Sequence, residues 1–260
     1  MEAAARYVEH PPHPALADLV EAVWSVTSGE AVGHRVLPDG CIDVLVRDGG
    51  PPVVVGPATR VTVAPMQPGT AVHGLRFRPG AAPFALGVGA DELRDLVVPL
   101  GDVLGAAVVR RDRAGTLAPH AAAATATGTL QRLLAVHARR PTDPLVDAAV
   151  ARLGAAPGTP IAALAGELAV SPRQLRRRFD SAVGYGPKRL ARVLRLQRLL
   201  ALAQRTPGAL GVDLAFAAGY ADEAHMGREA RELAGIAAQA LLRERGRSVQ
   251  APDRAVGDAA

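Results

Sequence analysis

Several residue types are scarce in this sequence. Cys41 is the single cysteine, which rules out an internal disulfide and a cysteine-rich zinc site. No uncharged apolar run reaches the roughly 18 residues that a membrane span needs. The amino end also lacks a basic stretch followed by an apolar one, so a cytoplasmic protein with no membrane contact is expected. Serine is sparse and no carboxylate pair stands out. No G-x-S-x-G, Walker A loop or Rossmann fingerprint follows a predicted strand. No enzyme is expected, no cofactor, and neither catalytic nor metal-binding residues. Aromatics make up 3% of the chain and Lys188 is the only lysine. Ala, Gly, Pro and Arg are abundant in their place, a bias that suits GC-rich coding, so where the charge lies tells more than its total.

That distribution is uneven. From Thr159 to Gly246 there are 14 basic and 8 acidic residues, against 16 and 17 in the remainder. The positive excess therefore lies entirely in the carboxy-terminal third, as a footprint for phosphate requires. A length of 260 residues suits two domains.

Within the basic third, Ser171 is a preferred N-cap, Pro172 suits the first helical position and Gln174 completes a capping box. Leu175, Phe179 and Val183 then recur at helical spacing, leaving Arg173, Arg176 and Arg177 on other faces. Just upstream, Ile161, Leu164, Ala165 and Leu168 form a second short apolar face. Two short helices joined by a tight turn, the second rich in arginine, make a helix-turn-helix pattern. The pattern recurs fifty residues on, where Leu214 and Ala215 echo Leu164 and Ala165. After a one-residue offset, Asp222 matches Ser171, Met226 matches Leu175 and Arg228 matches Arg177. Gly219 suits the end of the preceding helix. Lys188 to Arg205 reads as one amphipathic connector, roughly 27 Å long.

The segments IAALAGELAVSPRQLRRRF, VGYGPKRLARVLRLQRLL and DLAFAAGYADEAHMGREARELAG together resemble the DNA-binding domain of the AraC/XylS family of transcription regulators. The resemblance runs from Asp143 to Arg245 and implies two heads reading adjacent major-groove segments of double-stranded DNA. It places direct groove contacts at Arg173, Arg176 and Arg177. In the second head Glu223, His225 and Arg228 project from the predicted helix as base-contact candidates. Ser171, Lys188, Arg189 and Arg192 are the phosphate candidates. The chain departs from the family where Ala230 replaces an aromatic and where Gly227 interrupts the second recognition helix.

Ahead of this region the signal changes. Leu16, Leu19, Val20, Val23 and Trp24 sit at helical spacing and predict an amphipathic helix with Trp24 as a core anchor. From His34 to Arg78 the period falls to two, with Ile42, Val44 and Val46 alternating with polar residues. Frequent turn signals between such runs predict a small antiparallel sheet or partial barrel. Leu93, Leu96, Val97 and Leu100 predict a short helix ending near Pro99. The phrases VLPDGCIDVLV, VVVGP and GLRFRPGAA resemble the short sensor-like domain ahead of some AraC-type regulators, which implies a small-molecule effector or a homodimer contact without naming a ligand. His34 and His73 read as satisfied strand histidines rather than metal ligands, and Cys41 as an inert, partly buried thiol.

The expected fold is α+β. It comprises a β-rich amino-terminal domain (1–104), a helical linker (105–140), an all-α double helix-turn-helix domain (141–246) and a disordered tail (247–260). Two other functions stay open on the sequence: a small metal-dependent enzyme domain tethered to DNA, and a non-specific nucleic-acid binder.

Overall fold

The structure, a computed structural model, describes residues 6–29, 32–48, 50–105, 128, 131, 142–206, 208–209 and 211–247. Almost all of the predicted helical linker, and the predicted disordered tail apart from residue 247, lie outside these residues.

The amino-terminal part is built on strands. They are β1 (Arg6–His10), β2 (Val20–Thr27), β3 (Val32–Val36), β4 (Asp43–Arg47), β5 (Val53–Val55), β6 (Thr62–Met66), β7 (Ala71–Phe77) and β8 (Val97–Pro99). Six form one open sheet in the order β1-β2-β7-β4-β5-β8, and β3 pairs with β6 as a separate ribbon. Every pairing is antiparallel. Alternation sorts the two faces of the large sheet. One carries Val44, Val46, Leu75 and Phe77, which pack with Leu16, Leu86, Leu93 and Leu100. The other carries Trp24, Val26 and Val72, which meet Met66 of the ribbon and Tyr7. Trp24 lies flat on Gly74, where a Cβ would fall 2.3 Å from its ring. No other residue fits there. Two short helices, α1 (Ala82–Leu86) and α2 (Leu100–Leu104), complete this part.

Two sequence expectations fail here. The helix over Leu16–Trp24 is instead a short 3-10 turn, Pro14–Leu16, followed by strand β2. Val20, Ala22, Trp24 and Val26 also have period two, and hydrogen bonding to both β1 and β7 decides between the periods. The helix over Leu93–Leu100 is replaced by β8, paired to β5, with Leu96 and Val97 exposed. Proline inside a helix removes a hydrogen bond and pushes its predecessor toward extended backbone. Pro99 accordingly closes a strand, and α2 starts rather than ends at Leu100.

The carboxy-terminal part is all helical: α3 (Pro144–Ala155), α4 (Ile161–Glu167), α5 (Pro172–Val183), α6 (Pro187–Arg205), α7 (Gly211–Ala218), α8 (Glu223–Ala234) and α9 (Ala238–Arg247). Its starts are local and chemical. Asp143 caps α3 by accepting from the Leu145 amide at 3.0 Å, ahead of Pro144. At α5 both halves of the capping box form: Ser171 Oγ accepts from the Gln174 amide at 3.2 Å, and Gln174 Oε1 from the Ser171 amide at 3.0 Å. Leu153, Leu164, Leu175, Phe179, Leu196 and Leu233 pack into one fully buried core. That core continues into the amino-terminal part, for it includes Leu37 and touches Val61.

Candidate nucleic-acid interface

The two helix-turn-helix units repeat in backbone detail. In the first, α4 ends in a turn where Ala169 adopts φ 54° and the Val170 amide donates to Ala165 O at 3.0 Å. Fifty residues later Gly219 adopts φ 92° and the Tyr220 amide donates to Ala215 O at 2.9 Å. Leu164 and Leu214, Ala165 and Ala215, Leu175 and Met226, and Phe179 and Ala230 are buried as matched pairs. Asp222 Oδ1 caps α8 by accepting from the His225 amide at 2.6 Å, the counterpart of Ser171. Each recognition helix ends in a left-handed glycine, Gly184 at φ 91° and Gly235 at φ 72°. The connector α6 spans 19 residues, roughly 28 Å at 1.5 Å per residue.

On α5, Leu175, Phe179, Ala182 and Val183 face the core, and Arg173, Arg176 and Arg177 are all exposed. Arg176 lies 3.6 Å from Asp180, one turn on, and its side chain stays 76% exposed. Such a contact is weak, because water screens it. Arg173 and Arg177 make no ion pair among the described residues. Three cations thus stand at the amino end of a helix with little to hold them. That end of a helix already favours anions.

The second recognition helix differs. Glu223 and Arg228 are exposed, but His225 turns inward. Its Nδ1 accepts from the Ala221 amide at 3.4 Å, its Nε2 lies 3.3 Å from Glu229, and its ring meets the edge of Tyr220. Both nitrogens therefore have partners within the protein. A Cβ on Gly227 would meet only Arg231 Nη1, at 3.8 Å, so nothing inside the protein requires glycine there.

Of the phosphate candidates, Ser171 and Lys188 are exposed, while Arg189 and Arg192 have internal partners. Arg189 donates to the Thr59 carbonyl. Arg192 donates to Glu229 at 3.0 Å and also pairs with Glu232. The hydrogen bond from Arg192 holds the Glu232 carboxyl below its usual range.

Glu229 is the residue that the sequence reading missed. Its side chain is 8% exposed and receives Arg192, Arg195 at 2.6 Å and His225. Arg195 also reaches Pro157 O and lies over the Tyr220 ring. This cluster ties α8 to the connector beside Ala230, where the family pattern expects an aromatic. An acidic residue on the buried stripe of Met226, Ala230 and Leu233, facing an arginine-rich connector, was the available signal. An isolated buried carboxylate is strongly unfavourable, so Glu229 in that stripe demands cationic partners.

A family described as a helix-turn-helix domain matches residues 164–244. These residues form an AraC-type helix-turn-helix domain. Ahead of the AraC-type domain, residues 8–99 match a domain of unknown function, DUF6597. Among solved structures, ToxT from Vibrio cholerae O395 bound to (E)-4-(8-methylnaphthalen-1-yl)but-3-enoic acid aligns with a TM-score of 0.49 at 10% identity. The alignment covers 94% of this chain and 100% of that one. A further ToxT structure from that strain aligns at 0.47 and 10% identity, covering 85% and 95%. Unsaturated fatty acid bound wild-type ToxT from Vibrio cholerae strain SCE256 aligns at 0.45 and 11%, covering 88% and 96%. No curated protein matches the chain. Among the described residues no helix is long and apolar enough to cross a membrane, and no cluster of His, Cys, Asp and Glu could hold a metal ion.

Proposed function

We propose that the chain is a sequence-specific regulator whose α5 and α8 enter two adjacent major-groove segments of one duplex. Arg173, Arg176 and Arg177 read base edges in the first segment. Arginine can donate two parallel bonds to guanine O6 and N7, worth roughly 1–3 kcal/mol of discrimination each. Arg228 and Glu223 face the second segment, while Ser171 and Lys188 contact phosphate. His225, Arg189 and Arg192 contribute by fixing helices, since each already has a protein partner. The single observation that carries this reading is the doubled turn, with its repeated positive φ, repeated hydrogen bond and capped recognition helix.

The β-rich part, residues 1–104, is the sensing and dimerisation domain of a cytoplasmic regulator in this reading, joined through 105–140 to the helices of 141–246. A cleft of about 870 Å³ lies between α1 and α5, lined by Phe84, Leu86, Val103, Leu104, Arg177 and Ser181. A small effector seated there would touch both parts and one base-reading arginine.

Selection of bound sites from random DNA tests the central claim. Two short motifs about one helical turn apart are the expected result. Equal affinity for all sequences at matched salt would reduce the protein to a general nucleic-acid binder.

A further inference from the structure

The last four carbonyls of a helix have no partner within it. In both recognition helices the β-rich part supplies donors for some of them. The Ala90 amide donates to Ser181 O of α5 at 2.8 Å. The Val61 amide donates to Leu233 O of α8 at 2.9 Å, and Arg35 Nη1 to Ala234 O at 3.1 Å. Arg35 also pairs with Glu244 of α9 at 3.1 Å.

The same segment touches the left-handed glycines that end the two helices. A Cβ on Gly184 would lie 2.4 Å from Pro57 Cγ, and one on Gly235 would lie 3.2 Å from Val61 Cγ1. Between Pro57 and Val61, the Thr59 carbonyl accepts from Arg189, at the start of the connector. Residues 57–61 therefore run from the end of one recognition helix, past the connector, to the end of the other. Four residue steps reach at most roughly 14 Å, so the segment can hold these points together but cannot let them part.

Asp95 stiffens it. Its carboxylate accepts from the Thr59 amide and the Thr59 hydroxyl, each at 2.7 Å, and its own amide donates to Pro57 O at 3.2 Å. Asp95 adopts φ 58° to do so, a conformation that aspartate tolerates better than most residues.

We propose that residues 57–61, braced by Asp95 and Arg35, form a strut that sets the separation of the two recognition helices and so determines which half-site spacing the protein accepts. This rests on the two-headed reading above. The connector α6 and the shared core join the heads along one side; the strut closes the frame at their carboxyl ends. Linked binding modules gain affinity only where the linkage lets both engage together. A rigid frame therefore favours one spacing sharply, and a loosened one tolerates several.

The test uses the full chain and a set of duplexes whose two selected half-motifs are moved apart or together one base pair at a time. A duplex carrying the first half-motif alone serves as reference. Asp95→Gly removes both side-chain bonds while keeping the positive φ unstrained, and Arg35→Ala removes the bond to α8. Thr59→Val removes only the hydroxyl bond. In the native protein a one-base-pair change is expected to cost about tenfold or more in affinity. In Asp95→Gly/Arg35→Ala it should cost less than about threefold, with the isolated half-motif bound as before, and Thr59→Val should fall between. An unchanged spacing profile in the double variant, melting as a folded protein, overturns the strut. So does equal loss on the isolated half-motif, which would mean general damage to the first head. Failure of the native protein to prefer any half-motif would instead sink the two-headed reading itself.

Discussion

The two helix-turn-helix units share a backbone and differ in what they do with their charges. The first leaves Arg173, Arg176 and Arg177 exposed on α5 over a core of Leu175 and Phe179. The second has Ala230 in the place of Phe179 and gathers Arg192, Arg195 and His225 around the buried Glu229. One head packs its recognition helix on apolar side chains and leaves Arg173 and Arg177 without an ion pair among the described residues. The other is held in part by ions and has fewer cations left to offer. A fold repeated within one chain thus need not pair its charges alike in both copies.

Four outcomes test that contrast. The largest effect is expected in the first head, where Arg173→Ala/Arg177→Ala should lose roughly 2–6 kcal/mol of discrimination between selected and scrambled DNA. Arg228→Ala should lose no more than about 1–3 kcal/mol. Fluorescence anisotropy titrations at one salt concentration read both, and equal losses would end the claimed asymmetry.

Glu229→Ala comes next. It removes the carboxylate that two largely buried guanidinium groups share, leaving Arg192 with Glu232 and Arg195 with the Pro157 carbonyl, and breaking such a cluster costs about 3 kcal/mol. Denaturant melts should show the loss, and a variant as stable as the native protein would mean that the second head does not depend on its ions.

The matched turns offer a smaller and more symmetrical comparison. Gly219→Ala forces an L side chain to φ 92° and should cost about 1–2 kcal/mol, although its Cβ would meet nothing closer than 3.7 Å. Ala169→Gly relieves φ 54° in the first head and should gain no more than about 1 kcal/mol. Melting curves that move both variants in the same direction would deny that the two turns are equivalent.

The smallest effect is one of pH. Arg192 holds the exposed Glu232 carboxyl below its usual 4.5. Between that value and the lower folded one, the unfolded chain binds more protons than the folded one. The stability contributed is therefore present above 4.5 and lost as pH falls through the folded value. Protection factors in α8, which are corrected for the fall of intrinsic amide exchange with pH, should decrease below pH 4.5 in the native protein, and Glu232→Gln should remove that component.

Much of the helical part was legible because its signals are short-range. Capping at Asp143, Ser171 and Asp222 involves residues two or three apart, and each forms the expected bond. The connector begins at Pro187, one residue before the predicted start, and ends at Arg205 as predicted. Short-range signals misled around Leu16–Trp24, where helical and strand periods coexist and partners from β1 and β7 chose between them. Arg189 and Arg192 looked free for phosphate because arginine in a helix carries no mark of its partner. Thr59 lies 130 residues from Arg189, and Glu229 lies 37 from Arg192.

The sequence on its own marked where the recognition helices begin and where the connector runs in the carboxy-terminal third, that the pattern is doubled, and which arginines stand on the outer side of the first recognition helix. These follow from contacts within one or two turns of chain, which every copy of that local sequence makes. Long-range packing was needed to make the β-rich part cap both recognition helices, to run residues 57–61 between them, and to close the second head on a buried glutamate. Those contacts join segments far apart in the chain. Their free energy depends on distances that local sequence does not encode.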